Sequence, residues 1–549
     1  MHWLIIDTGR KQDYIFETNR LRHMIGASQL IHQVGRSWVD QAVDELTPTG
    51  TVEIVQKISG KALLLISDPD EGRRLIRSVT TRAVDEAGGL EVAGVTGPPF
   101  DPDREHVPDP ANQRRAEPDF VSALEATYSL LDQRRRELPS VLQRDPVLPW
   151  HEQCRETGWP TARFELYGQD PRVVRDWHPA AHAVEQRTRH KAAGRARMAQ
   201  AIGDPGNKII PEEIDTITHD GWIALIHADG NNVGSIFLRF PELAAQASKQ
   251  QRLSLAVWRE YMENVSAELA DATEAAIRDA IADVDPILQP LIAKAQARMP
   301  ANDKRHAGPV MPIVIGGDDV TVVCHSDLAV PLTAAYLRRF EKQTAAKSSL
   351  SEVSKLCTGK PHLCAGAGIV YVKPHHPFYR AYAMTESLAT ETKRATKKYA
   401  PASSGFDIHF AFDATPDELD RERATARHDA GPDQAIRRHA GPYLVTTGDG
   451  AAQPGSWQSL HDVHHLNQLI EALRPEGWLS SSQAHFLREG IDLGAAIYRQ
   501  RLLGTRAGVD ASEADLLEPV ADSPAHEDAP MVRLLDAMLL NGAGSGGAL

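Results

Sequence analysis

One stretch constrains the fold more than any other: Pro312-Ile313-Val314-Ile315-Gly316-Gly317-Asp318-Asp319-Val320-Thr321-Val322-Val323. Two runs rich in Val and Ile read as half-buried strands. The glycines between them can take the positive φ that a tight hairpin needs. A plain turn is better served by Asn-Gly or Asp-Gly. Adjacent carboxylates at a tip repel each other unless a cation or a donor lies between them. Strand–Gly-Gly-Asp-Asp–strand is therefore a good way to present a divalent metal ion. A second segment, Gly221 to Gly234, reads as a buried strand ending in Asp229-Gly230-Asn231-Asn232. Alone it also fits a strand with an Asx-type exit turn. Together the segments offer Asp229, Asp318, Asp319 and the backbone carbonyl of Gly230. Hard oxygen donors of this kind suit Mg²⁺ or Mn²⁺, which usually hold substrate phosphates as well.

Asp229-Gly230-Asn231-Asn232-Val233-Gly234 followed by Gly-Gly-Asp-Asp resembles the palm domain of the Cas10/Cmr2 proteins of type III CRISPR systems, and more distantly GGDEF-type nucleotide cyclases. Cys364 to Pro374 is similar to the strand after the catalytic hairpin. Pro377-Phe378-Tyr379-Arg380 and the helix running to Lys398 resemble the closing helix with its Ala-Lys end, although Thr392 stands where the family favours Ala. These elements follow in order over residues 217–412. Near the start, Gln12 to Arg22 and Gly26 to Ile31 are similar to the opening of the family's first, catalytically degenerate palm. The pattern there predicts a strand at 2–8, a helix at about 25–44, a hairpin over 52–67, a helix at 70–87 and a strand at 90–96. That βαββαβ order is ferredoxin-like. At its hairpin tip Ile58-Ser59-Gly60-Lys61-Ala62 replaces the acids, so this copy is not expected to hold a catalytic metal.

The expected fold is α+β. It comprises two ferredoxin-like palm domains, the first degenerate (1–96) and the second with Gly-Gly-Asp-Asp (217–412). A linker and mostly helical insertion (97–216) and a helical C-terminal domain (413–549) complete it. In the insertion, Leu148 to Pro160 resembles a zinc-finger segment, but the Cys-x-x-Cys pair is reduced to His151 and Cys154. With no convincing partner pair, zinc is not expected there. His461, His464 and His465 read as a solvated helix face, and the Gly-rich tail 541–549 as disordered.

The resemblance implies a palm nucleotidyltransferase that converts ATP into cyclic oligoadenylates in antiviral defence. Two divalent ions would bring a 3′-hydroxyl to the α-phosphate of a nucleoside triphosphate. Asp229 and Asp318 are the expected principal metal ligands, and Asp319 a further ligand or an orienter of metal-bound water. Gly230 would complete one coordination shell. Gly316 and Gly317 would line the nucleotide site, where Asn231 and Asn232 would hold the triphosphate. Lys393 and Lys397 share a helix face, as do Arg394 and Lys398. Either pair fits the phosphates, with Lys393 nearest the family's Ala-Lys position. Adenine versus guanine is left open, as is a linear or a cyclic product. A non-catalytic scaffold for guide RNA or partner subunits is the alternative, and three intact, mutually repelling acids favour the enzyme.

Composition narrows the classes further. A chain of 549 residues with 42% apolar and 24% charged content suits three or four packed domains. A net charge of −14 argues against a broad face for duplex nucleic acid and against a DNA-copying polymerase. No apolar run reaches the ~18 residues of a membrane span, and the first residues lack a signal-peptide pattern. Four cysteines fit a reducing cytoplasm rather than a disulfide framework. No His-Asp pattern of an HD nuclease appears near the start, which fits a compact Cmr2-like subunit or a stand-alone synthetase equally. The expected partners are nucleoside triphosphates, guide or target RNA and CRISPR effector subunits. A homodimer is a further expectation, because ring closure can require two facing palms.

Overall fold

The computed structural model describes residues 1–46, 50–107, 119–139, 182–204, 208–218, 221–299, 307–401, 403–413, 439–445, 456–506, 510–519 and 532–544, the isolated residues 153, 206, 415 and 419, and the backbone of 163–166 and 177–180. His151 and Cys154 lie outside the described residues. The first domain builds β1 (His2–Gly9), α1 (Lys11–Phe16), α2 (Leu21–Val34), α3 (Ser37–Leu46), β2 (Val52–Ile58), β3 (Lys61–Ile66), α4 (Pro69–Glu86) and β4 (Glu91–Pro99). Its sheet order is β2-β3-β1-β4, and β1 pairs antiparallel with both neighbours. This is the ferredoxin-like arrangement. The helix expected at 25–44 is two helices. They part at Gly35, where a Cβ would meet the Ile58 carbonyl oxygen at 2.2 Å, so the hairpin crowds the chain at that point. Asp68 caps α4 by accepting from the Asp70 N–H, and Pro69 opens the helix.

Between the two sheets run α5 (Phe120–Glu137), the short strands β5 (Arg163–Leu166) and β6 (Trp177–Ala180), and α6 (His182–Ala201). The second domain contributes β7 (Ile223–Gly230), α7 (Val233–Leu238), α8 (Phe240–Ala247), α9 (Leu255–Asp283), α10 (Asp285–Ala297), β8 (Val310–Gly316), β9 (Asp319–His325), α11 (Ser326–Ala345), α12 (Ser348–Thr358), β10 (Ala365–Val372), α13 (Phe378–Tyr399), β11 (Ser404–Phe410) and β12 (Tyr443–Val445). The sheet order is β12-β11-β10-β7-β9-β8. Four adjacent strands, out to the β8 edge, repeat the order of the first sheet, with β10, β7, β9 and β8 in the places of β4, β1, β3 and β2. β11 adds in parallel to β10, and β12 adds antiparallel to β11.

One continuous apolar core joins the two domains. Trp3 of β1 meets Trp258 of α9 edge-on at 5.4 Å. Phe16 stacks on Tyr382 of α13 at 4.3 Å. Gln56 donates to the Ser266 hydroxyl at 2.6 Å. Burying Phe16 and Trp3 almost completely is worth roughly 1.5–3 kcal/mol per large side chain, so the two sheets are held as a packed pair.

The C-terminal part adds α14 (Val463–Ala472), α15 (Ser481–Asp492), α16 (Ala495–Arg506) and α17 (Leu534–Gly544) among other short pieces. Two expectations change here. Residues 541–544 are the last turn of α17, not part of a disordered tail. This helix packs on α14, and the Ala543 carbonyl accepts from the Ser326 hydroxyl at 3.2 Å. His461 is buried, not solvated, since its ring stacks on Trp457 at 4.1 Å and its Nδ1 lies 2.7 Å from the Pro442 carbonyl. His464 is exposed as expected. Among the described residues no helix is long and apolar enough to cross a membrane.

Candidate active site

The acids meet because of strand register. β7 is buried nearly throughout and ends at Asp229-Gly230. Asp229 pairs with Asp319 of β9 on one side and with Gly366 of β10 on the other. The β8–β9 hairpin closes with Gly316 opposite Asp319, leaving Gly317 and Asp318 as its tip. Gly317 takes φ +64°, the left-handed conformation that favours glycine, whereas Gly316 keeps an ordinary φ. Thr273 of α9 donates to the Gly317 carbonyl at 2.6 Å and pins the tip. Asp318 folds back over the end of β7. A Cβ on Gly230 would stand 2.9 Å from Asp318 Cβ and 3.0 Å from its Oδ2, so only glycine fits beneath it.

Three carboxylates at one strand end cannot all be charged cheaply. Burial, then the charge and hydrogen bond of Asp229, then the charge of Asp319, push the Asp318 carboxyl up to about 8. Asp319 Oδ1 is buried with no hydrogen-bond partner and lies 3.3 Å from His227 Nδ1. Asn231 Oδ1 is likewise buried without a partner. Its backbone N–H donates to the Cys364 carbonyl at 2.7 Å, which ties the Asp-Gly-Asn-Asn turn to the residue before β10. Asn232 takes φ +64° as the first residue of α7's cap.

The closing helix supplies the cation. Lys393 of α13 forms an ion pair with Asp229 Oδ2. It reaches there by crossing β10 at Gly366, where a Cβ would overlap Lys393 Cγ at 2.3 Å. Gly368, two residues on, lets the backbone of α13 at Thr385 lie equally close. The alternation of Ala and Gly in β10 thus clears a track for α13. Lys397, Arg394 and Lys398 are exposed, and Lys398 lies over the Tyr399 ring at 4.7 Å. Of these four cations, only Lys393 meets an acid of the cluster.

Two contributors escaped the sequence reading. His227 is buried one strand repeat before Asp229, with Nδ1 3.1 Å from the Thr321 hydroxyl and its ring edge-on to Tyr382 at 5.2 Å. Burial opposes its charge, but Asp319 and then Asp229 outweigh that and raise its pKa. The available signal was its i, i+2 spacing from Asp229, which puts both on one face of β7. Tyr336 of α11 brings a buried hydroxyl without a partner, whose ionisation is opposed by burial and then by Asp318, Asp319 and Asp229. No local pattern marks that residue.

Residues 222–401 match the family described as Cas10/Cmr2, second palm domain. No curated protein matches the chain in sequence. Among solved structures, the chain is similar to a Csm1-Csm4 cassette in complex with pppApApA (12% identity, 98% of this chain and 69% of that one, TM-score 0.49). It is similar also to a Csm1-Csm4 cassette in complex with one ATP (13%, 99% and 70%, TM-score 0.47). A third is Csm1 in T.onnurineus (13%, 99% and 69%, TM-score 0.40).

Proposed function

We propose, from the match of residues 222–401 to the family described as Cas10/Cmr2, second palm domain, that the chain is a metal-dependent nucleotidyltransferase of that kind. It joins nucleoside triphosphates, ATP first among them, into a cyclic or linear oligonucleotide that serves as a signal in type III CRISPR-like defence. RNA and effector subunits are its proposed partners. The observation that carries this reading is the strand register that sets Asp229 opposite Asp319 and folds Asp318 over Gly230, where burial and the neighbouring acids push the Asp318 carboxyl up to about 8. The buried, unpartnered Asp319 Oδ1 and the crowded carboxylates would be satisfied by a divalent cation held among them. The donor set fits Mg²⁺ or Mn²⁺, which carboxylate and carbonyl oxygens prefer.

Asp229, Asp318, Asp319 and the Gly230 carbonyl would hold such ions. When bound, they supply acidity to an attacking hydroxyl and positive charge to the triphosphate. The chain's own residues do the positioning, which provides most of the rate in phosphoryl-type transfers. His227 steadies Asp319, and Thr273 fixes the hairpin tip. Lys393 balances Asp229 and keeps a fixed cation beside the place a triphosphate would occupy. Asn231 and Asn232 present amides at the same edge.

The test is direct. The purified chain is incubated with each ribonucleoside triphosphate and Mn²⁺, and products are identified by mass spectrometry. The expected result is an oligonucleotide that disappears on chelation and in an Asp318→Ala/Asp319→Ala variant. Absence of product under every condition, with RNA or protein subunits co-purifying, would replace this reading with that of a scaffold.

A further inference from the structure

A second cluster of chemically distinct donors lies behind the catalytic turn. Glu341 of α11, His362 and Cys364 bring one ligand atom each to within 4.8 Å of one another. Glu341 is 4% and Cys364 6% exposed. His362 Nε2 is buried without any hydrogen-bond partner. A buried carboxylate, a buried thiol and an orphaned imidazole nitrogen are each costly to bury apart. Here three of them converge.

The backbone around them is held from several sides. Gly359 ends α12 with φ +79°. Ser354 donates to the His362 carbonyl at 2.9 Å, and Leu363 N–H donates to the Thr344 hydroxyl at 3.0 Å. Glu341 Oε1 accepts from the Ser404 N–H at 2.9 Å, while the Ser404 hydroxyl accepts from the Ala365 N–H at 3.0 Å. The ligand atoms are therefore presented by elements fixed on both sides of β10. This is the kind of support that metal ligands usually have.

We propose that Glu341, His362 and Cys364 form a zinc site with three protein ligands, distinct from the three aspartates. Thiolate, imidazole and carboxylate together select Zn²⁺ over Mg²⁺, which takes oxygen ligands. Binding releases the thiol proton to solvent as the sulfur takes the metal. The ion ties α11 to the segment before β10. That segment carries the Cys364 carbonyl to which Asn231 N–H donates, so the site braces the Asp-Gly-Asn-Asn turn from behind. Sequence spacing hid it, because Glu341 is far from the His-x-Cys pair along the chain.

The probe is metal itself on the full-length chain. After chelation and dialysis the protein is titrated with Zn²⁺, and separately with Co²⁺ while thiolate-to-cobalt absorption is recorded. The expected result is one tightly held equivalent, a cobalt–thiolate band and a raised unfolding midpoint. Cys364→Ser loses the band. His362→Gln, which keeps most of the volume, weakens zinc by about tenfold or more and loses the rise in midpoint. Asp318→Ala/Asp319→Ala and Cys154→Ser keep the band. Two results overturn the proposal. One is a wild-type chain with no cobalt–thiolate band, which would leave Cys364 as a hydrogen-bonded thiol. The other is a band that survives Cys364→Ser and vanishes in Cys154→Ser. Because the titration of the wild-type chain reads the thiolate directly, a variant that fails to fold does not remove the test.

Discussion

The two sheets are the same device set to different uses. In the first, Asp7 pairs with Lys61 across the β1–β3 ladder and with Ala93 of β4. In the second, Asp229 pairs with Asp319 and with Gly366. Strand for strand, Asp7 holds the place of Asp229, Lys61 that of Asp319 and Gly60 that of Asp318. The first copy thus has one acid where the second has three. Asp7 is now met by fixed cations: Arg135 at 2.9 Å and Lys11 at 3.7 Å, with Lys11 also donating to the Ser59 carbonyl. Lys61 donates to the Tyr128 hydroxyl at 2.9 Å. Where the first sheet answers its acid with side chains of its own, the second leaves an excess of negative charge. The contrast teaches that an acid at this strand end is not itself a metal site. What matters is whether the protein supplies the countercharge. The two tips also face each other, with Ser59 Cβ 3.7 Å from where a Cβ on Gly316 would stand.

The largest expected effect breaks the second copy into the likeness of the first. Asp318→Ala with Asp319→Ala should drop product formation to background in the mass-spectrometric assay. The thermal midpoint at neutral pH should hold or rise, because repulsion is removed. Next comes the track for the lysine. Lys393→Ala should cost roughly 10²–10³ in turnover, the scale of losing one preorganised charge contact. Gly366→Ala should act in the same direction by displacing the Lys393 stem, and steady-state kinetics on both variants checks this. Full activity in Gly366→Ala would detach Lys393 from the site.

A third test concerns protons. Asp318 keeps its proton to about 8 in the folded chain, whereas an unfolded carboxyl releases it near ~4. The folded state binds the extra proton across that window. Its contribution to stability is therefore full below about pH 4 and is lost as pH rises toward 8. Denaturant titrations without divalent ions should show this slope. Asp318→Asn or saturating Mg²⁺ should flatten it, and an unchanged slope in Asp318→Asn would assign it elsewhere.

The smallest effect is expected in the first copy. Asp7→Asn should lower stability by about 1 kcal/mol, the scale of losing a part-exposed ion pair. It should reduce turnover far less than Asp229→Asn does. Equal losses of turnover in the two variants would end the distinction between the copies.

Much of this was legible in the chain before folding. Val and Ile runs around Gly316-Gly317 and the β-rich run into Asp229 named the strands that carry the three acids. The βαββαβ pattern at the start named the first sheet. The misreadings have physical causes. The 25–44 helix was broken by a close approach of the hairpin to Gly35, which no local pattern encodes. His461 looked solvated because no carboxylate pattern completes a site around it, yet its ring is covered by Trp457 from the same short stretch. Residues 541–544 are rich in glycine and still helical, with Ala543 buried and its carbonyl accepting from the Ser326 hydroxyl of α11.

By itself the sequence determined the strands, the turn chemistry and the identity of the three acids, since these depend on side-chain alternation and on glycine at a tip, both local properties. Tertiary structure alone decided that Asp229 and Asp319 stand opposite each other, that Lys393 rather than Lys397 enters the site, and that His227 and Tyr336 close around it. It also gathered Glu341, His362 and Cys364. These depend on register between strands and on which helix face a glycine track admits. Such relations join residues far apart in the chain and exist only once the sheet is formed.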